Sequence, residues 1–192
     1  MRCFLAIEVP DSASLCLIDA GCCIREADPS WAGEKWVTRE VMHVTVKFFG
    51  DVEGERVDAL LGALTEMTVR QQGFPLRFSE LCAVPAPNHA SMIWARVEDA
   101  TGRCAKLAAA ADRIAVETGC KGESKPFAPH LTLVRARRPR AVSGVALSRA
   151  AERSGLVQLA PMSVPSATLF SSELTRSGPI HVPLGRLEFR SE

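Results

Sequence analysis

The sequence predicts an α+β fold with antiparallel or mixed sheets. Three observations carry that expectation. Stretches rich in Val, Ile and Phe alternate with helix-length amphipathic segments, so strands and helices interleave. The turn Pro85-Ala86-Pro87-Asn88 separates two adjoining strand candidates, as a hairpin would. The chain also closes on strand-like sequence. At 192 residues, 47% of them apolar, it is long enough to bury one sizeable core.

The elements follow in order. Residues 2–9 alternate loosely and read as a strand. Pro10 then punctuates the chain, and Asp11-Ser12 is expected to cap a helix running to about Ala27. Asp28-Pro29-Ser30 through Gly33 reads as a loop. Residues 43–49 form a strand closed by Gly50-Asp51. Residues 54–70 place Val57, Leu60, Leu61 and Leu64 on one helical stripe. Residues 74–84 and 90–97 are the hairpin strands, and the Ala-rich stretch 101–118 is a helix with Leu107, Ala111 and Ile114 in register. Residues 130–135 read as a strand and 143–153 as a helix, with strand-like sequence at 157–172 and 180–190.

Composition sets bounds on function. No apolar run approaches the ~20 residues of a membrane span, and the opening stretch is too short for a secretory signal, so a cytoplasmic protein with no membrane partner is expected. Seven cysteines with no Cys-x-x-Cys pair indicate neither a disulfide framework nor a zinc knuckle. The net charge of +1 argues against a groove gripping many phosphates of a long nucleic acid. Charge is nevertheless uneven: residues 1–120 carry a balance of −5 and residues 121–192 one of +6. Arg135, Arg137, Arg138 and Arg140 supply most of the excess, as a solvated basic loop or as a field drawing in a small anion.

One pattern occurs twice. His43-Val44-Thr45-Val46 and His130-Leu131-Thr132-Leu133 both read His-apolar-Thr-apolar, each in a predicted strand. Across the six pairs that four histidines make, the chance of a doubled hit is on the order of one in two thousand. The repeat suggests two related halves. Strand side chains alternate faces, so each apolar pair would anchor its strand while an imidazole and a hydroxyl share the other side. Two such strands facing one another suit phosphodiester cleavage. One histidine deprotonates the attacking oxygen, the other protonates the departing one, and threonine hydroxyls bond the nonbridging oxygens. A metal or other cofactor is not required by that scheme, and none is expected.

These residues resemble a family. The stretches "HVTVKFFGDV" and "PFAPHLTLVRAR" look like those of the RNA 2′,3′-cyclic phosphodiesterases of the two-histidine phosphoesterase superfamily, long called 2′-5′ RNA ligases. The opening strand Arg2–Ile7, Trp36, and Ser172-Glu173-Leu174 before Gly178 extend the likeness. The resemblance implies one bilobed domain over residues 1–192, with two antiparallel or mixed sheets, backed by helices, around a central cleft with pseudo-two-fold symmetry. It implies His43 as proton donor and His130 as proton acceptor, flanked by Thr45 and Thr132, opening a 2′,3′-cyclic phosphate to a 2′-phosphomonoester. The two motifs are too alike for the sequence itself to separate acid from base.

Further contacts are expected around this centre. Arg135 lies five residues past His130, where the family has a basic residue, but strict alternation turns it off the cleft face unless the strand bulges. Lys47 continues the inward face at i+4 from His43, for substrate contact or as a strand-end charge. Trp36 and Phe127 are candidates for stacking on a base, or for core packing. His181 stands where family members often carry tyrosine, and His89 reads as an exposed turn residue. The expected partners are RNA 3′ ends or small cyclic nucleotides, bound by a monomer. Two other functions fit the same residues: ATP-independent, reversible 2′-5′ end joining, since no Gly-x-x-x-x-Gly-Lys loop is present, and a nucleotide- or RNA-end-binding module with little turnover.

Overall fold

The computed structural model of the chain describes residues 1–175 and 178–190. Its strands are β1 (Arg2–Glu8), β2 (Lys35–Trp36), β3 (His43–Asp51), β4 (Phe74–Val84), β5 (Ala90–Glu98), β6 (His130–Arg140), β7 (Met162–Val164), β8 (Ser166–Thr175) and β9 (Gly178–Glu188). Its helices are α1 (Asp11–Ala27), α2 (Gly54–Thr68), α3 (Arg103–Glu117) and α4 (Gly144–Arg153). The strands form two sheets, β3-β1-β8-β9 and β2-β6-β5-β4-β7. Every pairing in them is antiparallel, so the fold is α+β and its sheets are not mixed.

The hydrophobic pattern explains why the layers stack as they do. Cys3, Leu5 and Ile7 of β1 point into the apolar core, which runs continuously under both sheets. Val57, Leu60 and Leu64 of α2 are buried, and α2 lies against β9 while α3 lies against β3. Helix α4 packs on β4 of the second sheet, and α1 runs along α4. Thus α1 follows a strand of the first sheet yet belongs to the second layer, and α3 does the converse.

Four details differ from the sequence expectation. Neither Asp11 nor Ser12 caps α1; the cap position is Pro10, whose carbonyl accepts from Ala13 and Ser14 while Asp11 sits inside the first turn and pairs with Arg39 at 2.6 Å. Strand β6 runs on to Arg140, so the arginine cluster lies on a strand and not in a loop. The unexpected β2 pairs with it, Lys35 opposite Arg135 and Trp36 opposite Val134. The stretch 157–172 is broken into a short 3₁₀ turn, β7 and β8, because Pro161 and Pro165 donate no ladder hydrogen bond. All seven cysteines are unpaired, and among the described residues no helix is long and apolar enough to cross a membrane.

Candidate active site

Strands β3 and β6 repeat more than a sequence pattern. Along β3, His43 and Thr45 are half-buried while Val44 and Val46 are buried; along β6, His130 and Thr132 alternate with Leu131 and Leu133 in the same way. Both strands then slip register at the same step. Thr45 faces Ala6 but Lys47 faces Leu5, and Thr132 faces Trp94 but Val134 faces Ile93. Val46 and Leu133 are therefore the extra residues of matching β-bulges, which interrupt the alternation of faces. Two successive side chains, Val46 and Lys47 or Leu133 and Val134, go to the buried side, and the next one, Phe48 or Arg135, swings out to the histidine face.

The bulges decide two expectations. Arg135 reaches the cleft, its guanidinium held beside Met92, Nη1 to Sδ 2.9 Å. Lys47 does not continue the inward face: it is buried, and its ammonium meets the Asp112 carboxylate at 2.8 Å and donates to the Lys121 carbonyl at 2.9 Å. Without the extra residue at Val46, alternation would have kept it beside His43 and Thr45.

Each imidazole is held in the same manner. His43 Nδ1 donates to the Val41 carbonyl at 2.8 Å, and His130 Nδ1 donates to the Ala128 carbonyl at 2.7 Å. A carbonyl only accepts, so Nδ1 carries hydrogen in both rings and Nε2 is the nitrogen that titrates. An aromatic ring backs each one: Phe4 lies 4.8 Å from the His43 ring, and Trp94 stacks on His130 at 3.6 Å. Burial pushes the His43 pKa down to about 4, assisted by the neighbouring His181, His130 and Arg135 and opposed by the Val41 carbonyl. Burial and Arg135 also lower that of His130, against the Ala128 carbonyl.

Both histidines and both threonines line one cleft of about 340 Å³ between the sheets. Arg2, Arg135, Ser172 and His181 share it, and among the described residues no carboxylate does. Such a lining suits an anion. A second pocket of about 330 Å³ adjoins it through Thr45, Phe48 and His130, and Phe127 forms part of its wall. Trp36 is elsewhere: its ring sits on Gly21 of α1 under the Arg25 guanidinium, and its indole donates to the Trp31 carbonyl. Of the arginine cluster, Arg140 turns back to pair with Glu34 and leaves Arg135 as the member at the cleft. Phe4 and Trp94 carry no signal in the sequence, since only cross-strand register shows that they back the two histidines. His89 is exposed, as expected.

A family model described as LigT like phosphoesterase matches residues 24–94 and 96–181. The chain is 31% identical over 150 residues to an RNA 2′,3′-cyclic phosphodiesterase of Aeropyrum pernix, covering 78% of this chain and 83% of that protein. A protein of the same description from Methanothermobacter thermautotrophicus is 26% identical over 184 residues, 96% of each chain. Among solved structures, TT0787 of Thermus thermophilus superposes with a TM-score of 0.77 at 23% identity, over 100% of both chains. E. coli LigT complexed with 3′-AMP gives 0.72 at 22% identity, over 98% of this chain and 97% of that one.

Proposed function

Because the chain belongs to the LigT-like phosphoesterase family, we propose that it hydrolyses 2′,3′-cyclic phosphate ends of RNA or nucleotides to 2′-phosphomonoesters. The observation that carries this reading is the pair of imidazoles from β3 and β6, each fixed through Nδ1 to a backbone carbonyl two residues upstream and both lining one carboxylate-free cleft. In this scheme the cyclic phosphate lies between them. His130 Nε2 takes a proton from water, whose oxygen forms the new bond to phosphorus. The bond from phosphorus to the ribose 3′ oxygen breaks, and that oxygen receives a proton from His43, leaving the phosphate on the 2′ oxygen. The roles of donor and acceptor follow the family resemblance.

Thr45 and Thr132 share the histidine faces, so their hydroxyls are positioned to donate to the nonbridging oxygens, where charge gathers in the transition state. Arg135 adds a planar fork of donors at the same place. Phe127, in the adjoining pocket, offers a face for a base to stack on; Lys47 lines that pocket as well, with its ammonium committed to Asp112 and Glu123, while Trp36 lies outside the contacts of this scheme. Burial first, and the cationic lining after it, disfavour a protonated His43, and the anionic substrate supplies the charge that restores it. Both motifs come from one chain, so a monomer suffices.

The test is product analysis on a 2′,3′-cyclic nucleotide with excess chelator present. A 2′-phosphate is expected, at a rate the chelator does not change. A 3′-phosphate product, or no turnover, would overturn the reading.

A further inference from the structure

The cleft is larger than one cyclic phosphate needs, and its far end carries polar groups that the hydrolysis scheme leaves unused. Arg2 of β1 stands directly opposite Ser172 of β8, and Ser172 directly opposite His181 of β9. Residues opposite one another in antiparallel strands share a face, so the three form one row across the sheet. All three line the cleft. Among the described residues, none of their side chains has a hydrogen-bond or ion-pair partner, although Asp51 is the cross-strand neighbour of Arg2 in β3. A guanidinium fork, a hydroxyl and an imidazole are the donor types that oxyanions attract.

The position of the row says which oxyanion. The His181 ring lies 5.1 Å from that of His43 and 4.8 Å from Phe4, edge-on to both. His43 is the group that protonates the departing 3′ oxygen in the scheme above, so the ribose lies on its side of the cleft. The next anionic group on that ribose is its 5′-phosphate. We propose that Arg2, Ser172 and His181 form a second phosphate subsite, which takes the 5′-phosphate of the nucleotide whose cyclic phosphate is opened. The inference rests on the proposed function for the orientation of the nucleotide. The 5′-phosphate has two sources with the same chemistry: the diester joining the terminal nucleotide to an RNA strand, and the monoester of a free nucleotide. Burial lowers the pKa of His181, so near neutral pH its uncharged ring can donate to the anion without adding a positive charge beside His43.

Calorimetric binding of adenosine 2′-phosphate and adenosine 2′,5′-bisphosphate to the unmodified protein, to Arg2→Gln and to His181→Gln tests the subsite without requiring turnover. The bisphosphate is expected to bind about tenfold more tightly or better, as charge-assisted hydrogen bonds allow. That ratio is expected to fall toward one in both variants, whereas Arg135→Gln weakens both ligands and keeps the ratio. Equal affinities in the unmodified protein would overturn the proposal, as would a ratio that survives both substitutions. A dinucleotide ending in a 2′-phosphate separates the sources. A gain matching the bisphosphate assigns the subsite to an RNA strand, and a gain confined to the bisphosphate assigns it to free nucleotides. Cyclic nucleotides left intact by a protein that still shows the ratio would sink the hydrolase reading alone.

Discussion

A histidine whose Nδ1 is committed to a carbonyl offers chemistry through Nε2 alone, and His43 and His130 share that restriction. Each should therefore serve as one half of a proton relay. His43→Ala and His130→Ala are each expected to lower kcat by about 10²- to 10⁴-fold in steady-state assays, and the double variant little further, because acid and base act as a unit. The pH dependence has a definite sign. In the free protein both pKa values lie below 6.5, that of His43 at about 4. The reaction needs one ring protonated and the other neutral, so above pH 6.5 the competent form dwindles. The kcat/KM profile should peak on the acid side of 6.5 and fall beyond it, while kcat should fall at higher pH because bound phosphate stabilises imidazolium. A kcat/KM that rises from pH 6.5 to 8 contradicts the assignment. The four residues at this centre are legible in the sequence because His-x-Thr-x states its own geometry once a strand is assumed. Phe4 and Trp94 are not, because their service to each imidazole depends on which strand lies alongside.

Strand β3 shows where alternation stops being a guide. Period-two reasoning assigns Lys47 to the cleft, and a single extra residue, Val46, sends it to the other face, where the ammonium ties β3 to α3 through Asp112. The same kind of slip at Leu133 rescues Arg135 for the cleft. Nothing in Val46 or Leu133 themselves marks a bulge; the register comes from the paired strands β1 and β5. Most elements are nevertheless readable, since α1, α3 and the hairpin β4–β5 are long and regularly patterned. The two-residue β2 is not, being too short to show a period. The buried ammonium has an energetic consequence. Both of its carboxylate partners are more exposed than the lysine side chain, Asp112 at 31% and Glu123 at 50% against 1%. Asp112→Ala leaves the buried ammonium only the Lys121 carbonyl and the half-exposed Glu123 carboxylate at 3.4 Å, and is expected to cost about 2 kcal/mol in urea unfolding. Lys47→Met, which leaves an acid that water can still reach and that still accepts from the Glu123 amide, should cost roughly half as much or less. Equal losses would mean that the ion pair itself, not the buried cation, dominates.

The cleft exists because the chain repeatedly leaves one sheet for the other. β1 and β3 form the first sheet with β8 and β9 from the far end of the sequence, while β4, β5 and β6 build the second between them. One histidine-bearing strand belongs to each sheet, β3 to the first and β6 to the second, and the helices of each layer are supplied partly across the divide. A phosphate held by Thr45 and Thr132 together then joins two layers that otherwise meet mainly through the shared core. Ligand at a hundred times its Kd stabilises the folded state by about 2.7 kcal/mol, which for a chain of this size raises Tm by about 5–10 °C. Adenosine 2′-phosphate should produce that shift, and the shift should shrink at the same ligand concentration in Thr45→Ala and in Thr132→Ala, whichever sheet carries the change. The three tryptophans report on the second sheet by fluorescence, Trp94 stacked on His130, Trp36 in β2 and Trp31 beneath Arg140 of β6, and far-UV circular dichroism reports on the whole chain. If one phosphate clamps both layers, the two melting curves move together when ligand is added. A ligand that moves the tryptophan transition and leaves the rest of the melt behind would place the anion on one sheet only, and the two imidazoles could not then share it.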